Sequence, residues 1–301
     1  MEGSQLKIFQ RMRKNKPVAA SGQAQKAQSA QSGQAEQFSW TLDANGVLTI
    51  SGAGVVDSLI GTPWNAEKVM SVVLKDGVTG VGLLAFCGYP NLKSVRIPDS
   101  VSAIGGCAFQ DCASLQSVAI PHGVTFIGGS AFQGCTSLQS VTIPDSVTQI
   151  GGWAFRDCAS LQSVAIPHGV TEIGDFTFAF CKSLSSVAIP DGVSVIGGSA
   201  FAFCESLTEL QLPRALTSIG DFAFQFCGGL KTLRIPDGVT EIGEFAFQFC
   251  ESLSGVVFPD SVKRIGDWAF MKCPKLASVS VPAGAVMNAN AFDPHTAIVR
   301  R

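Results

Sequence analysis

The chain has 301 residues and a formal net charge of -2, with 46% hydrophobic and only 15% charged residues. Residues 1–37 hold six Lys or Arg against two Glu, a balance of +4, which leaves -6 for residues 38–301. This acidic body argues against nucleic-acid binding, which needs clustered Lys and Arg facing phosphates. No apolar run approaches the ~20 residues of a membrane span.

The N-terminal segment, residues 1–37, is predicted to be a basic tail and linker without stable structure. Within residues 6–16, apolar Leu6, Ile8, Phe9 and Met12 alternate with basic residues. One interpretation is an amphipathic helix that contacts a membrane surface or a partner; the other is a solvated terminus. Residues 17–37 are rich in Ala, Gln, Ser and Gly, which is typical of a linker.

An N-terminal cap is predicted over residues 38–73. The segment FSWTLDANGVLTISGAG alternates apolar and polar residues on both sides of Asn45-Gly46, which favours a β-hairpin. Such a hairpin would cover the open sheet edge of whatever follows. We expect Pro63-Trp64 to pack at the junction.

A 23-residue period dominates residues 74–281. Self-similarity at a period of this length predicts a solenoid, in which each coil contacts only its neighbours. We expect nine or ten coils in one elongated array. The period is clearest in a column of cysteines: Cys112, Cys135, Cys158, Cys181, Cys204, Cys227, Cys250 and Cys273.

Each coil is predicted to contain two short extended pieces and one helical turn, as residues 135–157 illustrate. Residues 138–143 have the spacing of a strand, which Pro144 ends because it lacks an N–H. Residues 147–150 form the second extended piece. Gly151, repeated in every coil, implies a positive φ or a backbone packed too closely for a Cβ. Residues 154–158 predict a helical turn that directs one Phe inward.

The array is predicted to end in a C-terminal cap at residues 282–301. Ala291-Phe292 arrives one residue early, and neither the Ile-Gly pair nor the cysteine returns.

The unit L-x-x-V-x-I-P-x-x-V-T-x-I-G-x-x-A-F-x-x-C resembles the BspA-like class of leucine-rich repeat, and FSWTLDANGVLTISGAG followed by TPWN is similar to caps that precede such arrays. The resemblance covers roughly residues 38–281. It implies a right-handed, curved repeat solenoid with parallel short strands and one short helical turn per coil. It also implies a cell-surface or secreted protein associated with adhesion. Because no secretory signal is recognisable in the chain as given, a cytoplasmic location stays open.

The ten cysteines and three histidines are not expected to form a metal or catalytic centre. Column neighbours in a stacked array would have Cβ atoms about 4.8 Å apart, longer than the ~3.8 Å of a disulfide, so buried free thiols are expected. Cys87 and Cys107 lie outside the column. No Ser has a nearby His to activate it, and no cofactor motif appears, so we predict a protein that is not an enzyme.

A turn column of alternating acids and histidines has two interpretations. It is either a coupled, weakly cation-binding run or a set of turn positions that tolerate Asp and His, and the second is favoured. Its members are Asp99, His122, Asp145, His168 and Asp191.

An aromatic stripe is the candidate binding site. After residue 175, two positions that flank the core Phe of each coil become aromatic, where earlier coils hold small or polar residues. These side chains either form a binding surface or pack under the turn as a wider core. The residues are Phe176, Phe180, Phe203, Phe222, Phe226, Phe245, Phe249 and Trp268.

The sequence therefore predicts a non-enzymatic scaffold that binds another protein, or a surface glycan, along one face of the solenoid. The alternative is a structural element that self-associates through the stripe and is tethered by the basic tail. The protein is expected to be a monomer or to self-associate weakly, and to contact membranes only through residues 6–16.

Overall fold

A computed structural model describes residues 31–35, 37–57 and 63–301 of the chain. Residues 1–30, which include the predicted amphipathic segment, lie outside the described residues. The fold is a parallel β-solenoid of about eleven coils with almost no helix. This exceeds the nine or ten coils expected, because both predicted caps contribute strands that stack on the array.

Two rows of short strands run along the solenoid, one from each extended piece of the coil. The first row consists of Ser71–Leu74, Ser94–Arg96, Ser117–Ala119, Ser140–Thr142, Ser163–Ala165, Ser186–Ala188, Thr232–Arg234, Gly255–Val257, Ser278–Val281 and Ala297–Arg300. The second row consists of Gly54–Val56, Val78–Val81, Ala103–Ile104, Phe126–Ile127, Gln149–Ile150, Glu172–Ile173, Val195–Ile196, Ser218–Ile219, Glu241–Ile242, Arg264–Ile265 and Val286–Met287.

The strands pair in parallel with a register of one repeat. Ser117 pairs with Ser140, and Ile127 pairs with Ile150, so equivalent side chains stack on one another. The first row alternates an inward apolar residue with outward small residues, as its burial pattern shows. The first row has no strand in the coil of residues 209–211. Both rows also lack strand pairing between the coil of residues 140–150 and the coil of residues 163–173, so they divide into separate sheets there.

The third side of each coil is a run of hydrogen-bonded turns, and this corrects the predicted helical turn. Two residues of the turn, such as Cys107 and Asp111, have left-handed φ values of 54° and 57°, which an α-helix does not accommodate. The N–H groups of Cys107, Phe109 and Asp111 instead donate to carbonyl groups of the next coil. Among the described residues, the helical content is one 3-10 helix, Ala66–Lys68.

The repeated glycine is required by close packing rather than by a positive φ. A Cβ on Gly128 would lie 2.5 Å from both the carbonyl carbon of Gly105 and the amide nitrogen of Gly106, and φ at Gly128 is not positive. Of the two explanations predicted for this column, the close approach of backbones is the one that applies at Gly128.

The core contains two internal ladders. One buried Phe per coil, from Phe86 to Phe292, stacks on its neighbours with centroids 5.1–5.5 Å apart. The eight column cysteines are buried free thiols, and each S–H donates to the carbonyl of a core Phe 26 residues earlier.

The N-terminal cap contains the predicted hairpin. Phe38–Leu42 and Val47–Gly52 pair antiparallel around Asn45-Gly46, and the second strand pairs in parallel with Ser71–Leu74. Trp64 packs at the junction as expected, with Nε1 donating to Tyr89 Oη at 2.7 Å. One further strand, Gln31–Ala35, pairs antiparallel with Phe38–Leu42, so order begins before Phe38, the predicted starting point.

The C-terminal segment completes one more coil. Phe292 stacks on Phe270 at 5.1 Å although it arrives one residue early, and Ala297–Arg300 pairs in parallel with Ser278–Val281. The shortened coil therefore still extends the core Phe ladder and the first row of strands.

Candidate binding surface

The turn of each coil carries two left-handed positions, four residues apart, on either side of the core Phe. In the coils from residue 153 onward, the first position has φ between 55° and 67° and the second between 61° and 64°. Bulky residues rarely adopt this conformation, which costs on the order of 1–2 kcal/mol per residue relative to right-handed backbone. The same positions hold Cys107, Asp111, Ser130 and Gly134 in earlier coils.

Aromatic side chains at these positions form two stacked ladders, which together we call the aromatic stripe. The first ladder contains Trp153, Phe176, Phe222, Phe245 and Trp268, and the second contains Phe180, Phe203, Phe226 and Phe249. Trp153 is not among the predicted stripe residues, although its place in the 23-residue column is visible in the sequence.

Neighbouring rings of the stripe are nearly parallel, except that the planes of Trp153 and Phe176 differ by 33°. Within the second ladder, neighbouring centroids are 4.4–4.5 Å apart and the planes differ by 5–16°. In the first ladder, Phe245 stacks on Phe222 at 4.7 Å and on Trp268 at 4.9 Å. Each interior ring therefore covers the faces of its neighbours, and the edges of the rings are what remains for solvent or a partner.

The stripe is half-buried rather than fully exposed. Phe180 is only 7% exposed, and the other rings have intermediate exposure. Phe176, Phe180 and Phe203 pack with Ala179 and Ala202 in a small apolar cluster separate from the main core. The cluster around Phe180 is therefore a wider core, which was one of the two predicted alternatives. The other rings of the stripe keep part of their surface accessible to solvent.

A charged residue closes the N-terminal end of the stripe. The Arg156 guanidinium lies 4.8 Å from the Trp153 ring centroid and 5.3 Å from that of Phe180. Its Nε is buried with no hydrogen-bond partner among the described residues, and burial lowers the pKa of this guanidinium. Two cation–π contacts thus replace the water that a surface arginine would bind.

Polar residues occupy the space between the ladders farther along. Gln225 Nε2 donates to Gln248 Oε1 at 2.7 Å, while the buried Gln225 Oε1 has no partner among the described residues. Ser199, only 3% exposed, interrupts the first ladder between Phe176 and Phe222.

A column of carboxylates runs beside the first ladder. The residue that precedes each ring from Phe176 onward is Asp175, Asp221, Glu244 or Asp267, whereas Gly106, Gly129 and Gly152 occupy this position in earlier coils. Asp175 and Asp221 each use one oxygen to accept an N–H of the next coil at 2.7 Å. Sequence analysis did not single out this column, although the change from Ile-Gly-Gly to Ile-Gly-Asp after residue 172 was visible.

Carboxylates also flank the second ladder. Glu205 and Glu251 are exposed two residues after Phe203 and Phe249, and Lys182 pairs with Glu205 at 2.8 Å. The stripe is therefore an apolar surface with an acidic border along the first ladder and a border of mixed charge along the second.

The other sequence candidates do not form a chemical site. His122 and His168 are exposed turn residues, and no group of His, Cys, Asp and Glu within the described ranges is arranged to hold a metal ion. Among the same residues, the structure contains no helix of the length and apolarity needed to cross a bilayer.

Comparison with known proteins agrees with the repeat architecture. A family profile described as BspA type leucine rich repeat region (6 copies) matches residues 64–184 and 171–298. The chain belongs to the BspA type leucine-rich repeat family. The predicted family resemblance and the predicted solenoid are both confirmed. No catalytic family is indicated, and the fold is consistent with a scaffold for protein binding.

Solved structures include several similar repeat proteins. A T. pallidum leucine rich repeat protein is 29% identical, with a TM-score of 0.50, over 59% of this chain and 91% of that one. A leucine rich cell surface protein from Faecalibacterium prausnitzii A2-165 is 25% identical, with a TM-score of 0.48, over 89% and 87% of the two chains. Among curated proteins, none matches this chain significantly.

Proposed function

We propose that this BspA type repeat protein is a non-enzymatic scaffold that recognises another protein through the aromatic stripe. The observation that carries the proposal is the placement of nine aromatic residues at left-handed turn positions with an acidic border. Left-handed backbone disfavours bulky residues, so aromatic residues at positions where Ser and Asp also fit point to a role for the rings themselves.

The turn does not need aromatic residues at these positions in order to form. Ser199 and Asp157 adopt the same left-handed conformation as the rings, with φ values of 55° and 62°. Their backbone N–H groups donate to the next coil just as those of the aromatic residues do. The aromatic side chains therefore add accessible apolar surface to a turn that polar residues also build.

The ring geometry favours a protein partner over a glycan, the other predicted class. Sugars stack on exposed aromatic faces, whereas neighbouring rings cover one another's faces throughout the second ladder and from Phe222 to Trp268 in the first. The edges that remain carry partial positive charge and suit edge-to-face contacts with aromatic or apolar side chains. Aromatic and arginine side chains are also enriched among the residues that dominate protein interfaces.

A random peptide library displayed on phage tests the proposal. The full chain is compared with a variant in which Phe222, Phe226, Phe245 and Phe249 are replaced by Asn, because Asn tolerates left-handed backbone. We expect the selected peptides to lose binding to this variant. A control variant with Val257→Asn and Val286→Asn removes two exposed apolar side chains elsewhere and should keep binding.

Peptides that bind the Asn variant as well as the unmodified chain would contradict the proposal. A glycan array probed with the same proteins separates the two partner classes. If the Asn variant loses binding to glycans but not to peptides, the partner is a carbohydrate and not a protein.

We further propose, from family membership, that the protein acts at the cell surface, where adhesion would be its role. Mild protease treatment of intact cells that express it should remove the repeat array while leaving a cytoplasmic marker intact. Full protection of the array would place the scaffold inside the cell.

A further inference from the structure

We propose that the basic segment of residues 6–16 docks on the aromatic stripe of a second copy of this chain. This inference rests on the proposed function, since it names an occupant for the same surface. It follows from charge, from side-chain chemistry and from the length of the chain between the segment and the array.

The charges of the two partners are complementary. Residues 6–16 carry Lys7, Arg11, Arg13, Lys14 and Lys16 and no acidic residue. The stripe is bordered by Asp175, Asp221, Glu244 and Asp267 on one side and by Glu205 and Glu251 on the other. Arg156 is buried at the N-terminal end of the stripe. On the side of the second ladder, Lys182 pairs with Glu205 and Lys272 occupies the position that follows Phe249 by one repeat, so the net negative charge of the border lies along the first ladder.

The apolar side chains of the segment match the edges that the rings present. Ile8, Phe9 and Met12 recur at helical spacing and would share one face of a helix. A Phe ring packs favourably with its face on ring edges, and a Met thioether makes favourable contacts at aromatic edges. The basic residues beside this face would then lie over the acidic border along the first ladder.

The number of residues between the segment and the array favours docking between copies for the part of the stripe from Phe222 onward. Residues 17–30 separate the two by 14 residues, and a flexible chain of that length has a root-mean-square end-to-end distance of about 20 Å. Seven strand spacings, about 34 Å, separate Gln31–Ala35 from Ser163–Ala165, the first-row strand of the coil that contains Phe176. Phe222 lies two coils farther, near the limit of a fully extended linker.

The effective concentration of the segment falls steeply when a linker must stretch beyond its natural length. A second copy has no such constraint, so its segment can reach the part of the stripe from Phe222 to Trp268 without a fully extended chain.

Zero-length carbodiimide cross-linking of the full chain tests this docking, because it joins amines only to carboxylates in direct contact. A mixture of equal amounts of ¹⁴N- and ¹⁵N-labelled protein distinguishes cross-links between copies from those within one. We expect Lys7, Lys14 and Lys16 to link to Asp221, Glu244 and Asp267, with mixed-isotope pairs. The exposed carboxylates Asp99, Asp145 and Asp237, away from the stripe, serve as internal controls.

Two variants establish whether the apolar contacts matter. Replacing Leu6, Ile8, Phe9 and Met12 by Ser keeps every charge and should lower the cross-link yield about tenfold or more. Replacing Phe222, Phe226, Phe245 and Phe249 by Asn should do the same, whereas Val257→Asn with Val286→Asn should not.

Cross-links spread evenly over stripe and control carboxylates, or unchanged by the Ser variant, would overturn the docking. Cross-links confined to one isotope would overturn docking between copies.

Flotation with vesicles of phosphatidylcholine and phosphatidylserine tests the membrane alternative. Vesicle binding through residues 6–16 without stripe cross-links would overturn the proposal. Library peptides that still require the stripe would in that case leave the proposed function standing.

Discussion

The rings of Phe226 and Phe249 stack with centroids 4.4 Å apart and planes 5° apart, although both residues have a φ of 61°. Stacking of the rings stabilises each turn, while the left-handed backbone under them destabilises it. The buried Phe ladder differs in this respect. Phe224 and Phe247 also stack on each other, but neither has a left-handed φ, so no backbone strain opposes their packing.

Replacing Phe226 by Asn is expected to change the free energy of unfolding by less than about 1.5 kcal/mol, because relief of backbone strain offsets part of the lost packing. Replacing the fully buried Phe224 by Ala should instead cost about 3–5 kcal/mol. Denaturant unfolding followed by circular dichroism measures both. Equal losses for the two variants would mean that the stripe is ordinary core.

The repeated glycine provides a test of close coil packing. Gly128→Ala should lower the free energy of unfolding by about 2 kcal/mol or more, since its Cβ would meet backbone atoms that cannot move independently. Gly228→Ala is the matched control, because nothing lies within 4 Å of its Cβ and its φ is not positive. Thermal melting measures both variants. The same shift in Tm for Gly128→Ala and Gly228→Ala would contradict the role assigned to Gly128.

Thiol reactivity should separate the cysteine column from the two cysteines outside it. Alkylation of the native protein with iodoacetamide is expected to modify Cys87 and Cys107, which are partly exposed, and to leave the eight buried thiols intact. Mass spectrometry should find two adducts before denaturation and ten after it. Early labelling of Cys204 or Cys227 would show that the coils open readily in the native state.

Alkaline pH should unfold the array. Burial raises the pKa of Cys112, Cys227 and Cys273 to about 12, above the ~8.5 of an unfolded thiol, so the unfolded chain loses these protons first. Stability is therefore complete below about pH 8.5 and falls as the pH rises toward about 12. Each thiol removes about 1.4 kcal/mol per pH unit in this range.

Denaturant midpoints measured from pH 8 to 11 test this expectation. Cys227→Ala is the control: because it lacks one buried thiol, its free energy of unfolding should fall less steeply with pH, by about 1.4 kcal/mol per pH unit. A stability that does not change across this range would show that the buried thiols do not govern it.

The sequence by itself determined the solenoid, its register and most of its columns. A period of 23 residues places equivalent residues on neighbouring coils, so the Phe and Cys ladders follow from counting along the chain. The hairpin at Asn45-Gly46 followed from turn chemistry. The aromatic stripe was visible for the same reason, apart from Trp153.

Tertiary structure alone decided the conformation of the turn and the exposure of the stripe. The pattern around Ala223-Phe224 fits a helical turn equally well, and only the hydrogen bonds from Phe222 and Phe226 to the next coil select the left-handed backbone. That backbone sets the direction of each ring, and through it how far the rings cover one another. Local sequence cannot determine these features, because the bonds that hold them join residues about one full coil apart.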